Sequence, residues 1–126
     1  MDENAISRLI VGSAVEVHRV LGGPGLLESA YEEALCWELS KLNLKVERQV
    51  QVPIQYKGNL LASPLRIDVL VGDKVIVEIK ATSQYNSIFE AQALTYLRLT
   101  GLKLALVINF GERVVKSGIH RVVNYL

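Results

Sequence analysis

Arg66-Ile-Asp68-Val-Leu-Val-Gly-Asp-Lys-Val-Ile-Val-Glu78-Ile-Lys80 decides how the rest of the chain is read. Two runs rich in β-branched residues, Leu65–Val71 and Lys74–Ala81, flank Gly72-Asp73, the pattern of a β-hairpin. Side chains two apart on a strand share a face, so Glu78 and Lys80 point one way while Val77 and Ile79 point the other. Val69, Val71, Val75 and Val77 supply the apolar face that holds this register, and Arg66 shares a face with Asp68. Two carboxylates and an ammonium on one sheet face suit hard-cation chemistry. The carboxylates hold Mg²⁺ or Mn²⁺, and the lysine orients or deprotonates a water and steadies a phosphate charge.

An acid–x–Lys sequence on a strand by itself is more often a solvated face. What sets this one apart is Asp68 one strand earlier, among apolar neighbours, where an unpaired carboxylate is costly. The chemistry also constrains the turn. For Asp68 to lie opposite Glu78 the loop must hold an odd number of residues, most simply Gly72-Asp73-Lys74. A two-residue Gly-Asp turn would put the acids on opposite faces. Metal binding therefore requires a three-residue loop or a β-bulge.

Upstream, Ile6, Leu9, Ile10, Ala14, Val17 and Leu21 recur at helical intervals, which predicts an amphipathic helix over about 4–21, stopped at Gly22-Gly23-Pro24-Gly25. A second helix is expected from Leu26 to Leu42, with Tyr31, Leu35, Leu39 and Leu42 on its apolar side. Val46–Tyr56 alternates partly, as a half-buried strand does, and Lys57-Gly58-Asn59 turns it. Downstream, Ser87-Ile-Phe-Glu90 has the spacing of a capping box before a helix ending at Gly101. Leu104–Phe110 reads as a strand covered on both faces, and Arg113–Val115 with Ile119–Val123 as a closing edge. The order, α-α-β-β-β-α-β-β, is a mixed α/β sheet with helices packed on it.

At 126 residues the chain is expected to form one domain over 1–126 and to bury roughly 65% of its unfolded surface. Half of the residues are hydrophobic and 21% are charged, which excludes a disordered tail. No apolar run approaches the roughly 20 residues of a membrane helix. The acidic opening Met1-Asp2-Glu3-Asn4 carries no secretory signal, so a cytoplasmic location is expected. One cysteine, Cys36, excludes an internal disulfide, a four-cysteine zinc site and a cysteine-ligated iron–sulfur cluster, and its apolar neighbours read as core. The net charge of +1 gives no global pull towards nucleic acid. The charge is uneven, with six basic and eight acidic groups in 1–63 against eight and five in 64–126. The basic last quarter reads equally as a phosphate-binding surface or as a solvated rim.

Asp68, nine residues, then Glu78-Ile79-Lys80 on a hairpin ahead of a helix resembles the PD-(D/E)XK nuclease superfamily. Gln92-Ala-Leu-Thr-Tyr96 is similar to the Gln-x-x-x-Tyr motif of its RecB-like branch. Gly25-Leu-Leu-Glu28-Ser-Ala-Tyr31 resembles the signature of the GxxExxY family, and the likeness continues through Ile108-Asn109-Phe110-Gly111 and Gly118-Ile119. The resemblance implies a metal-dependent nuclease acting on nucleic acid, with DNA favoured. It implies that Glu28, Asp68 and Glu78 bind Mg²⁺ (or Mn²⁺), that Lys80 activates a water, and that Gln92 and Tyr96 position substrate. Glu28 shares a helix face with Tyr31 and Leu35, which places it on the sheet-facing side, although a glutamate in a first helical turn is also favoured by the macrodipole. Some RecB-like enzymes use an upstream histidine as a ligand, and His18 stands ten residues before Glu28. From its helix flank alone, His18 reads as a satisfied structural group. The rival readings are a catalytically silent nucleic-acid-binding or protein-interaction module on the same fold, and a structural homodimer subunit. No membrane partner is expected.

Overall fold

The computed structural model describes residues Met1–Leu126. Helix α1 spans Glu3–Val20 and opens at Asp2, whose side chain accepts the Ala5 amide at 2.8 Å. Helix α2 spans Glu28–Ser40. Five strands form the main sheet, β1 (Val46–Val52), β4 (Leu65–Val71), β5 (Val75–Lys80), β6 (Leu104–Asn109) and β7 (Ile119–Val123), in the order β1-β4-β5-β6-β7. β5 and β6 are parallel and every other neighbouring pair is antiparallel. A parallel pair needs a long crossover, which is made by helix α3, Ile88–Thr100, ended by Gly101 in the left-handed region. The order agrees with the α-α-β-β-β-α-β-β reading once a small ribbon, β2 (Gln55–Tyr56) with β3 (Asn59–Leu60), is set apart.

Two apolar layers cover the sheet. Ile6, Ile10, Ala14 and Val17 of α1, with Tyr31, Leu35 and Leu39 of α2, pack on Val69, Val71, Val75, Val77 and Ile79. Ala93, Tyr96 and Leu97 of α3 pack on Ile67, Ile76, Ala105 and Val107 from the other side. β6 is buried on both faces, which accounts for its unbroken apolar sequence. Cys36 is buried in the first layer, and burial pushes its thiol up to about 11, so it is an unreactive core residue.

Several boundaries differ from expectation. Helix α2 is shorter than Leu26–Leu42, and Leu42 is exposed. The run Val46–Tyr56 is not one strand. Pro53 has no amide to give the ladder, β1 ends at Val52, and the chain leaves the sheet to form the β2–β3 ribbon around Lys57-Gly58. The capping box does not form. Ser87 is itself helical (φ −61°, ψ −15°) and makes no cap bond, while Asn86 Oδ1 accepts the Ile88 amide at 2.9 Å and Glu90 accepts from the Tyr85 hydroxyl. Arg113–Val115 is no strand; a 3₁₀ turn over Val115–Gly118 leads into β7.

The turn of the β4–β5 hairpin is the three-residue one. Val71 pairs with Val75, and the Lys74 amide donates to the Val71 carbonyl at 3.1 Å. Gly72 and Asp73 both take left-handed backbone, and a Cβ on Gly72 would come within 2.9 Å of Ile6 Cδ1.

Candidate active site

Continuing the register past Val69↔Val77 brings Asp68 opposite Glu78, but no regular backbone pairing continues there. The two strands are joined instead by their side chains. The Asp68 amide donates to Glu78 Oε2 and the Ile79 amide donates to Asp68 Oδ2, each at 2.8 Å. The regular alternation slips at this point. Ile67 and Val69, two apart, lie in opposite core layers, and Gln49, the residue of β1 that the ladder would place beside Asp68, has φ 52°. The carboxylates therefore meet in a gap between strands rather than standing side by side on a flat face. Of the expected loop or bulge, the chain has the three-residue loop and, in addition, a local backbone distortion at the acid.

This gap is electrostatically costly. Burial raises the carboxyl of Glu78 to about 8, with the Asp68 charge as the second cause; Lys80 and the Asp68 amide pull the other way. Asp68 is raised too, mainly by burial, with Glu32 and Glu28 adding to the rise, while the Ile79 amide and Lys80 oppose it. The second oxygen of each carboxylate makes no hydrogen bond within the chain.

Asp68 opens into a cleft of about 290 Å³ shared with Glu28, Ser29 and Glu32 of α2 and with Gln49 and Arg66. The expectation for Glu28 needs correction. It is exposed at the first position of its helix, on the rim of the cleft rather than against the sheet. The buried acid of this helix is Glu32, one turn further on. It accepts from Arg48 Nε and Gln49 Nε2 at 3.0 and 2.8 Å and forms an ion pair with Arg48. Sequence reasoning missed Glu32; its position directly after the buried Tyr31 was the available signal. No group of three or more His, Cys, Asp or Glu side chains is gathered closely enough to hold a metal ion, so Glu28, Asp68 and Glu78 are not a preassembled ligand set.

The other residues are spread around this gap. Lys80 Nζ lies over the Phe89 ring of α3, 4.5 Å from its centroid. Tyr96 is buried on α3, in the layer that contains Ile67 and Ile76, and burial raises its hydroxyl, with the charges of Glu78 and Asp68 adding to the rise. Gln92, one turn earlier, is exposed. His18 is buried and its Nε2 is 3.2 Å from the Phe110 carbonyl oxygen, on the α1 side of the core.

Two residues quoted for the family likeness support the site mechanically. The Tyr31 hydroxyl donates to the Gly23 carbonyl at 2.8 Å and accepts the Leu26 amide at 3.2 Å, while its ring stacks on Phe110 at 4.6 Å. It thus ties the glycine-rich loop that delivers Glu28. Asn109, fully buried at the end of β6, accepts the Thr82 and Gly111 amides and donates to the Thr82 carbonyl, all at 3.0 Å. This clamps the chain two residues beyond Lys80. Gly111 is required by the same contact, since a Cβ there would fall 2.3 Å from the Thr82 oxygen.

The mixed sheet carries an acid on one strand and an acid–x–lysine on the next, with α3 packed across it. The family model described as the PD-(D/E)XK nuclease superfamily matches residues 4–122, and the chain belongs to that superfamily. No curated protein and no solved structure gives a significant match. No helix is long and apolar enough to cross a membrane.

Proposed function

We propose that this protein is a divalent-metal-dependent nuclease that hydrolyses phosphodiester bonds in nucleic acid, with DNA favoured over RNA. We place it in the GxxExxY family of the RecB-like branch, as a single nuclease domain over 1–126. The observation that carries the reading is the Asp68–Glu78 pair, in which the Asp68 amide donates to Glu78 and the Ile79 amide donates to Asp68, each at 2.8 Å. Two acids held in one gap by each other's strand, each with an oxygen left over, form a site that is strained without a cation.

The donor set fits a hard ion. Asp68 and Glu78 offer oxygens only, and Glu28, on the rim of the same cleft as Asp68, would be the further acidic ligand. A bound Mg²⁺ or Mn²⁺ would supply charge neutralisation at the scissile phosphate and a water of lowered pKa. The Lys80 ammonium, whose charge lowers both carboxyls, would orient and activate the attacking water and steady the phosphate oxygens as negative charge grows on them. Phe89 fixes that ammonium from one side. Tyr96 and exposed Gln92, on the α3 side of the sheet, would position the substrate. Asn109, through Thr82, holds the strand end that carries Lys80.

The test is titration calorimetry with Mn²⁺ alongside cleavage of single- and double-stranded DNA and RNA. Wild-type protein should bind the ion and cut at least one substrate, with Asp68→Ala losing both. A second reading, a binding module without turnover, is favoured by the lack of a third acid gathered with Asp68 and Glu78 and by the Lys80 ammonium lying on Phe89. Weak Mn²⁺ binding with no cleavage across that panel would select it.

A further inference from the structure

The β2–β3 ribbon has no role in the core. All four of its strand residues are exposed, Tyr56 at 59% and Leu60 at 67%. Tyr56 pairs with Asn59 and Gln55 with Leu60, so Tyr56 and Leu60 occupy opposite faces of a ribbon too thin to bury either. One further bond, from the Leu61 amide to the Ile54 carbonyl at 2.8 Å, closes its base. A two-stranded ribbon of this size is marginal in water and gains nothing from apolar side chains unless something covers them.

Its position and charge say what covers it. The ribbon leaves the sheet between Val52 and Leu65, the last pair of the β1–β4 ladder, and Leu65 is three residues from Asp68. At ~3.3 Å per residue the root of the ribbon is about 10 Å along the strand from the catalytic gap. From Arg48 to Ile67 there is no acidic residue, while Arg48, Lys57 and Arg66 are basic. Arg48 is committed to Glu32, but Lys57 and Arg66 form no ion pair. Lys57 Nζ instead lies over the Tyr56 ring, 5.5 Å from its centroid. An exposed aromatic backed by a cation, on an acid-free arm beside a phosphodiesterase gap, fits a nucleic-acid strand: a base on the ring, phosphates on the cations.

We propose that the ribbon is the substrate-gripping arm of this protein, with Tyr56 stacking on a base of single-stranded or frayed nucleic acid and Lys57 and Arg66 contacting its backbone. The proposal rests on the nuclease reading above. The test is fluorescence anisotropy of a labelled single-stranded oligonucleotide, in EDTA so that nothing is cut, with wild type, Tyr56→Ala, Tyr56→Phe and Lys57→Ala. Tyr56 is exposed, so these variants should fold, and circular dichroism checks it. Tyr56→Ala should weaken binding about 5- to 100-fold. Tyr56→Phe, which keeps the ring, should stay within about twofold. Lys57→Ala should reduce the slope of log affinity against log salt by about 0.7. Wild-type binding that Tyr56→Ala leaves unchanged overturns the arm and spares the nuclease reading. Self-association that Tyr56→Ala abolishes without touching oligonucleotide affinity also overturns it, in favour of a dimer contact. Failure of the nuclease reading shows separately, as wild-type protein that neither binds nor cuts any substrate, and the arm falls with it.

Discussion

Asp68 and Glu78 hold each other's strand: the Asp68 amide donates to the Glu78 carboxylate, and the amide just after Glu78 donates to the Asp68 carboxylate. The backbone ladder is thereby replaced, at one step, by two acids. A continuous ladder would have satisfied these amides without any charge. The arrangement is stable only to the extent that the charge is protonated or balanced by a cation, and this links folding to pH and to metal.

The pH dependence has a definite sign. Glu78 titrates near 4.5 when unfolded and near 8 when folded. Between those values the folded state holds a proton that the unfolded state has released, so stability falls as pH rises, by about 1.4 kcal/mol per unit at most. Below pH ~4.5 this effect is absent, and above ~8 it is complete. Glu78→Gln keeps an acceptor for the Asp68 amide and removes the titration. In EDTA the variant should therefore gain stability over wild type by a few kcal/mol between pH 5 and pH 8.5, measured by urea denaturation. A constant difference across that range would show that Glu78 is not titrating in the folded protein.

Metal should reverse this loss. At pH 8.5, Mn²⁺ at about 100 times its dissociation constant should restore about 2.7 kcal/mol to wild type and much less to Asp68→Ala. Thermal melts with and without the ion read this directly, and equal shifts in both proteins would place the ion elsewhere.

Lys80→Ala separates a ligand from a catalytic group. Removing the ammonium relieves repulsion of a cation, so Mn²⁺ affinity should be unchanged or slightly higher while cleavage is lost by at least a hundredfold. Asp68→Ala should lose affinity and cleavage together. Cleavage by Lys80→Ala at the wild-type rate would remove this lysine from the mechanism.

Asn109→Ala should destabilise by about 1–3 kcal/mol, because three part-buried backbone groups of Thr82 and Gly111 lose their partner. Urea denaturation measures it, and a loss under 1 kcal/mol would mean that water replaces the clamp. Tyr31→Phe removes only the hydroxyl from the Gly23 and Leu26 backbone and should cost about 1–2 kcal/mol. If Tyr31→Phe costs nothing, the glycine loop is held by other contacts.

The three-residue loop, which the sequence left open against a β-bulge, was selected by the pairing of Val71 with Val75. The sequence by itself determined the order of the main elements and the sheet-forming hairpin, from apolar spacing and turn residues. It determined the superfamily as well, because Asp68, Glu78 and Lys80 are local in the chain. Only the tertiary structure decided which acid of α2 is buried. Glu28 and Glu32 are one turn apart, and a helical period ranks them equally; the packing of α2 on β1 selected Glu32, where Arg48 and Gln49 meet it. The tertiary structure likewise set the slip at Gln49 and Asp68, which no alternating pattern encodes, and ended β1 at Val52, freeing the ribbon that Pro53 begins. It gave Asn109 its partners across the sheet, 27 residues away in sequence at Thr82. Periodicity reports what a residue's own element does with it. Which polar groups are left to neutralise one another depends on contacts between elements, and those form only when the layers close.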